Sequence, residues 1–215
     1  MGPRQERLKV HRRTLRLDGA AYTALSPRPD AAATFATSRH DGTWRIQADA
    51  DGAHLLARLC WAMAYQRHPR TVTVIDPSHL IPEAGPAGSI VIANRDLGEF
   101  GPGPAAALGA QLPFETPSGG TVVLQTRGLD LALADPAAFG QRDEQAGTDP
   151  VPWRDWVVGS DGLVVLAAPP AVLRAWGVAW SVLAPGQADG VVQVVDAFPD
   201  PGPAPTASGR PGDWP

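Results

Sequence analysis

The chain has 215 residues, 44% of them hydrophobic, which is the size of one domain able to bury a core without disulfides or metal. Its net charge of −4 excludes an overall attraction to nucleic acid or to an anionic membrane. Cys60 is the single cysteine, so there is no intramolecular disulfide and no Cys/His cluster of structural-zinc spacing; a cytoplasmic protein without metal or cofactor is expected.

The charge is unevenly spread. Residues 1–16 hold six basic side chains (Arg4, Arg7, Lys9, Arg12, Arg13, Arg16) against Glu6, about +5, leaving about −9 on the rest. This segment lacks the apolar stretch of a signal peptide. Leu8–Leu17 alternates roughly and reads as an edge strand with its charges in water, or as a basic tail. Residues 1–17 are therefore set apart from a single domain at 18–198. Asp18-Gly19 signals a turn. Ala33–Thr37 and Thr43–Ala48 read as a hairpin about His40-Asp41-Gly42.

Ala53–His68 is the strongest helical pattern. Leu55, Leu56, Leu59, Cys60 and Met63 form an apolar stripe, and Asp51 is placed to cap the start. Arg67 and His68 suit the negative end of the helix dipole, and Pro69 stops it. Beyond it come the five runs that set the fold class: Thr71–Asp76, Ser89–Asn94, Thr121–Thr126, Leu163–Ala168 and Val191–Asp196. Short, β-branched, nearly continuous apolar runs suit strands buried on both faces. The connection from Pro77 to Gly88 is too broken by proline and glycine for a helix, so the relative direction of the strands on either side of it stays open.

Further along, Pro104–Leu112 predicts a short helix, Leu129–Phe139 another, Gly140–Pro152 a polar loop, and Trp153–Val158 an element of open type. Leu163–Ala184 is apolar for almost the length of a membrane span, but Pro169-Pro170 interrupt it and Arg174 charges it. A strand followed by a helix at Pro170–Ala184 explains it better. That helix has only Arg174 and Ser181 as polar residues, so it belongs at the centre or at an interface. Residues 199–215, rich in proline and glycine, read as a flexible tail. The expected architecture is α/β, a mixed sheet of about five to seven strands with two principal covering helices, 53–68 and 170–184.

Chemistry-bearing residues gather where the apolar runs end, which is where open α/β sheets place ligand sites. Asp76, Ser78 and His79 offer a carboxylate, a hydroxyl and an imidazole, although a proline turn with Asp76 on local N–H groups is the favoured account of them. Asn94 and Arg95 could grip a carboxylate or phosphate, as could Arg127, unless Asp76 and Asp96 neutralise the guanidiniums. Together these residues make a site only if their strands run parallel. His54 and His68, roughly 20 Å apart by helical rise, cannot share a metal. Gly98–Gly103 resembles a phosphate loop but lacks its Lys-Ser/Thr, and its prolines remove donors. Cys60 lies on the apolar stripe, as a core residue would.

There are seven tryptophans, and Trp176 and Trp180 share one helical face with Leu173 beside them. Tryptophan is enriched at interface hot spots. The leading functional expectation is a non-catalytic binding or assembly protein that meets a protein partner, or itself, through Leu173, Trp176 and Trp180. The alternative is a small-molecule transferase or hydrolase that uses Asp76, Ser78, His79, Asn94, Arg95 and Arg127 on a small anionic ligand. Neither nucleic-acid binding nor a membrane span is expected.

Overall fold

The structure is a computed structural model that describes residues 7–40, 43–80, 88–115, 118–145, 157–160, 162–183 and 192–199. Its elements are β1 (Arg7–Leu17), β2 (Ala20–Ser26), β3 (Phe35–His40), β4 (Thr43–Ala48), α1 (Ala50–Ala64), β5 (Thr71–Ile75), β6 (Ser89–Asn94), α2 (Pro102–Gly109), β7 (Thr121–Gln125), α3 (Leu129–Ala134), α4 (Pro136–Gln145), β8 (Val157–Ser160), β9 (Leu163–Ala168), α5 (Pro170–Leu183) and β10 (Val192–Pro199). Among the described residues the strands form a seven-stranded sheet, β7-β1-β2-β5-β6-β9-β8, and a three-stranded one, β10-β4-β3. The larger sheet is mixed: β2 and β5 are parallel, as are β6 and β9, and the remaining neighbours are antiparallel. The α/β class and the mixed sheet are as the composition of the apolar runs implies.

The Leu8–Leu17 segment is not a tail: with Arg7 it forms β1, which lies between β7 and β2, pairing with β7 along Arg7–His11 and with β2 along His11–Leu17. Residues 1–6 lie outside the described residues. Its hairpin with β2 closes through Asp18 and Gly19, at φ 48° and 76°. A two-residue turn with both residues left-handed matches the twist of the flanking strands. The hairpin expected about residues 40–42 is β3–β4, with Phe35 facing Ala48 and His40 facing Thr43; Asp41 and Gly42 are outside the described residues.

Helix α1 starts three residues earlier than the apolar stripe suggests and ends four earlier. Its cap is Asp49, not Asp51: the Asp49 side chain accepts from the Gly52 N–H at 2.6 Å, and from the Thr34 N–H at 3.2 Å. The Thr34 hydroxyl donates to the same carboxylate. A side chain at Gly52 would meet the Thr34 carbonyl at 2.6 Å, so the close approach of the 34 loop needs glycine there. At the other end Tyr65 is the C-cap, and the Gln66 side chain accepts from the N–H groups of Arg67 and His68. Arg67 and His68 therefore lie past the helix, in the turn to β5.

One face of the larger sheet carries α1, α5 and the core that includes Leu25, Leu56, Leu59, Ile90, Ile92, Val164 and Leu173. α5 crosses α1 closely at Gly177, where a Cβ would stand 3.0 Å from the Ala57 carbonyl. The other face carries α2 over Leu17, Tyr22, Val74, Val91 and Val165. β5 and β6 are buried along their whole length, and β9 nearly so. β7 is not: it alternates exposed and half-buried because it is the last strand of the sheet. The fifth apolar run, as β10, joins the smaller sheet instead.

Three later expectations shift. α2 begins at Pro102 and ends at Gly109. The 129–139 segment breaks at Asp135 into α3 and α4, and α4 continues to Gln145 through what reads as the start of a polar loop. Of the 153–158 segment, Val157 and Val158 enter β8. Of the 199–215 tail, Pro199 ends β10, and residues 200–215 lie outside the described residues.

The Asp49 arrangement yields a direct test. Asp49→Ala removes a helix cap and two bonds to Thr34 together, and should cost about 1–3 kcal/mol. Asp51→Ala should change stability by less than about 0.5 kcal/mol, as an exposed first-turn acid does. Urea melts of the two variants give the comparison.

Candidate functional site

The polar strand ends do not converge. β5 and β6 are antiparallel, with Val72 facing Ala93 and Ile75 facing Ile90, so Asp76 and Arg95 leave the sheet at opposite ends. Each end is folded into a short 3-10 turn. Asp76 caps residues 77–79, accepting from the Ser78 N–H at 3.0 Å and from the Ser78 hydroxyl. The hydroxyl is thus a donor to its own turn. His79 is buried, whereas Ser78 faces water, so the two side chains diverge as neighbours do.

Asn94 repeats the device at the end of β6. Its Oδ1 accepts from the Asp96 N–H at 3.1 Å, capping the 95–97 turn. Its Nδ2 donates at 3.1 Å to the Met63 carbonyl in the last turn of α1, which also accepts the Gln66 N–H at 3.2 Å. Arg127 follows β7, which runs in the same direction as β5, and its backbone carbonyl accepts the Trp61 indole N–H at 3.0 Å. The ends of β6 and β7 are therefore both fastened to the last turn of α1.

A concavity among the described residues lies where β6 ends and the β1–β2 turn, the start of β5 and the start of α2 meet. It encloses about 550 Å³, with Tyr22, Pro69, Leu97 and Pro104 among its walls, and Asp18, Arg70 and Glu99 supplying charge. Arg70 holds a left-handed φ of 53°, and its carbonyl accepts the Thr23 N–H. The residues of this cleft were legible in the sequence only as a turn and as a glycine-rich stretch, because strand pairing is what brings them together. The lining has no serine, cysteine or histidine to act as a nucleophile or proton shuttle. Its two carboxylates and one guanidinium give no field of a single sign.

Leu173 is wholly buried and Trp180 is 6% exposed, both in the core shared with α1, and Trp176 is half-buried against it. The aromatic face of α5 is thus turned inward, and its outward face is Ala175, Ala179 and Val182. Among the described residues no group of three His, Cys, Asp or Glu is placed to hold a metal ion. No helix among them is long and apolar enough to cross a membrane.

Cys60 is fully enclosed, and burial pushes its thiol up to about 12. The folded state favours the neutral thiol. Its contribution is therefore complete below the ordinary value of 9.0 and is lost as pH rises from there toward 12. Stability of the parent should fall above pH 9 more steeply than that of Cys60→Ala in urea melts. At pH 8 the native thiol should resist a disulfide reagent that labels it fully once the chain is unfolded; labelling at the rate of a free thiol would show that α1 opens readily.

Comparisons with protein-family models, with curated proteins and with solved structures give no match.

Proposed function

We propose that the protein is a non-catalytic binding and assembly protein whose contact surface is the outward face of α5. The supporting observation is the stripe Ala175, Ala179, Val182, spaced four and three residues apart and exposed, with Val182 at 54%. A surface helix ordinarily turns its polar side to water. This one has apolar residues on both sides. α3 packs beside it and shows Leu131 at 77% exposure, the most exposed large apolar side chain among the described residues. Tyr65, also exposed, lies under the Arg174 guanidinium, 5.9 Å from its carbon to the ring centre, at the flank of the stripe.

The first occupant to test is a second copy of the chain. An uncharged stripe can meet its own image about a twofold axis without juxtaposing like charges. Support for the alternative, a transferase or hydrolase working through Asp76, His79, Arg95 and Arg127, is weaker, because Asp76 and Arg95 depart from opposite sheet ends and His79 is buried.

Sedimentation of the purified chain over a wide concentration range tests the reading. Self-association is expected, and Val182→Glu or Leu131→Glu should weaken it at least tenfold, about 1.4 kcal/mol, with melts unchanged within about 0.5 kcal/mol. A parent that stays monomeric at every concentration, or variants that associate as the parent does, would overturn it.

A further inference from the structure

A second surface, on the far side of β1, has a different character. β7 is the last strand of the larger sheet and pairs only with β1 among the described residues. Natural edge strands are guarded by lysine, proline or a bulge that prevents another strand from adding. Thr121–Thr126 contains no charge and no proline, and its pairing with β1 is regular from Thr121 to Gln125. Val123 is 46% exposed.

The two faces of β7 differ. Val122 and Leu124 pack on the core beneath α1. Thr121, Val123 and Gln125 face water, and the register places His11, Lys9 and Arg7 directly across from them on β1. Arg7 and Lys9 are exposed, and neither makes an ion pair among the described residues. A basic row thus lies one strand in from an unguarded edge, within a chain whose remainder is acidic.

A strand added to β7 would lie about 9.6 Å from β1, two strand spacings. That is close to the screening length of about 8 Å at physiological salt, and long basic side chains bridge much of the gap. Acids on the water-facing side of the added strand are attracted there and cations repelled. On its other side the added strand continues the apolar row of Val122 and Leu124. We infer that the β7 edge accepts, as an added strand, an extended peptide that alternates acidic and apolar residues, its acids selected by Arg7 and Lys9. This goes beyond the α5 surface and does not depend on it. Main-chain hydrogen bonds supply the attachment, and the side-chain alternation supplies the choice of peptide.

The test uses the full chain and fluorescein-labelled eight-residue peptides that alternate glutamate with valine or lysine with valine. Anisotropy should show binding of the glutamate peptide, weakened by added salt, and at least tenfold weaker binding of the lysine peptide. The Arg7→Glu/Lys9→Glu double variant should reverse that preference, and Val123→Glu should weaken the glutamate peptide at least tenfold, both with unchanged circular dichroism. Hydrogen exchange of the Thr121–Gln125 amides should slow when the glutamate peptide is added. Val182→Glu, which addresses the α5 surface, should bind the peptide as the parent does. Equal binding of the two peptides, or binding without protection of 121–125, would overturn the inference. So would tighter binding of a ten-nucleotide oligothymidylate, which would make the basic row a nucleic-acid surface. Protection of 121–125 that rises with protein concentration alone would make a second copy the occupant and overturn it equally.

Discussion

Helix α1 is buried on nearly every side, and a helix so placed cannot leave its end groups to water. The first four N–H groups and the last four carbonyls lack helical partners, and each one left unsatisfied inside the protein costs of the order of 1–3 kcal/mol. Asp49 and the Tyr65–His68 turn answer that demand, and further hydrogen bonds tie α1 to its surroundings. Asp49 takes the Gly52 N–H and holds the Thr34 loop against the start. Asn94 reaches from the end of β6 to the Met63 carbonyl, and the Trp61 indole reaches to the carbonyl of Arg127. On the half-buried side Arg58 donates to the Arg7 carbonyl at 2.6 Å; its burial lowers the guanidinium pKa, and the Asp130 charge opposes that shift. The larger sheet is thereby fastened to the second half of α1, the Thr34 loop is fastened to its start, and α5 closes over the helix at Gly177.

The same demand explains the fate of the polar strand ends. A polar residue after a buried strand has two uses: it can face a ligand, or it can satisfy backbone groups where the chain turns. Asp76 and Asn94 both take the second use, each capping the 3-10 turn that follows its strand. Asn94 does more, since its amide nitrogen also closes the end of α1. A side chain with both polar atoms engaged at 3.1 Å has little left for substrate. The antiparallel pairing of β5 with β6 completes the separation.

The fold class was legible because burial on both faces leaves a local imprint. β5, β6 and β9 consist of apolar and β-branched residues along their length, and such runs have few other places to go. The Asp18-Gly19 turn was legible for an equally local reason, the need for left-handed backbone. What was hidden depended on pairing. β7 has the same residue types as β5 but ends the sheet, and nothing in TVVLQ states which neighbours it will have. β1 was read as an edge or a tail because of its charges, yet it lies between two strands, pairing with β7 along Arg7–His11 and with β2 along His11–Leu17 while most of its charged side chains stay in water. The start of α1 was missed because the stripe begins after the true first turn, whose cap depends on a loop fifteen residues away. The cleft at Asp18, Arg70 and Glu99 assembles three separate turns, so no single window of sequence contains it.

The distribution of charge then acquires a structural sense. Five of the basic residues in the N-terminal segment lie on β1, and their strand sits between the covered body of the sheet and its open edge. Cations on an inner strand do not guard the outer edge as lysine on β7 itself would, because an incoming strand meets uncharged backbone first. They act instead at a distance of two strand spacings, where attraction and repulsion still discriminate but no longer forbid. An edge of this kind is permissive toward strand addition and selective for charge. α5 has the complementary property, an outward stripe without charge that excludes little by electrostatics and depends on shape. These two unlike surfaces are the ground on which a protein that holds other chains is proposed.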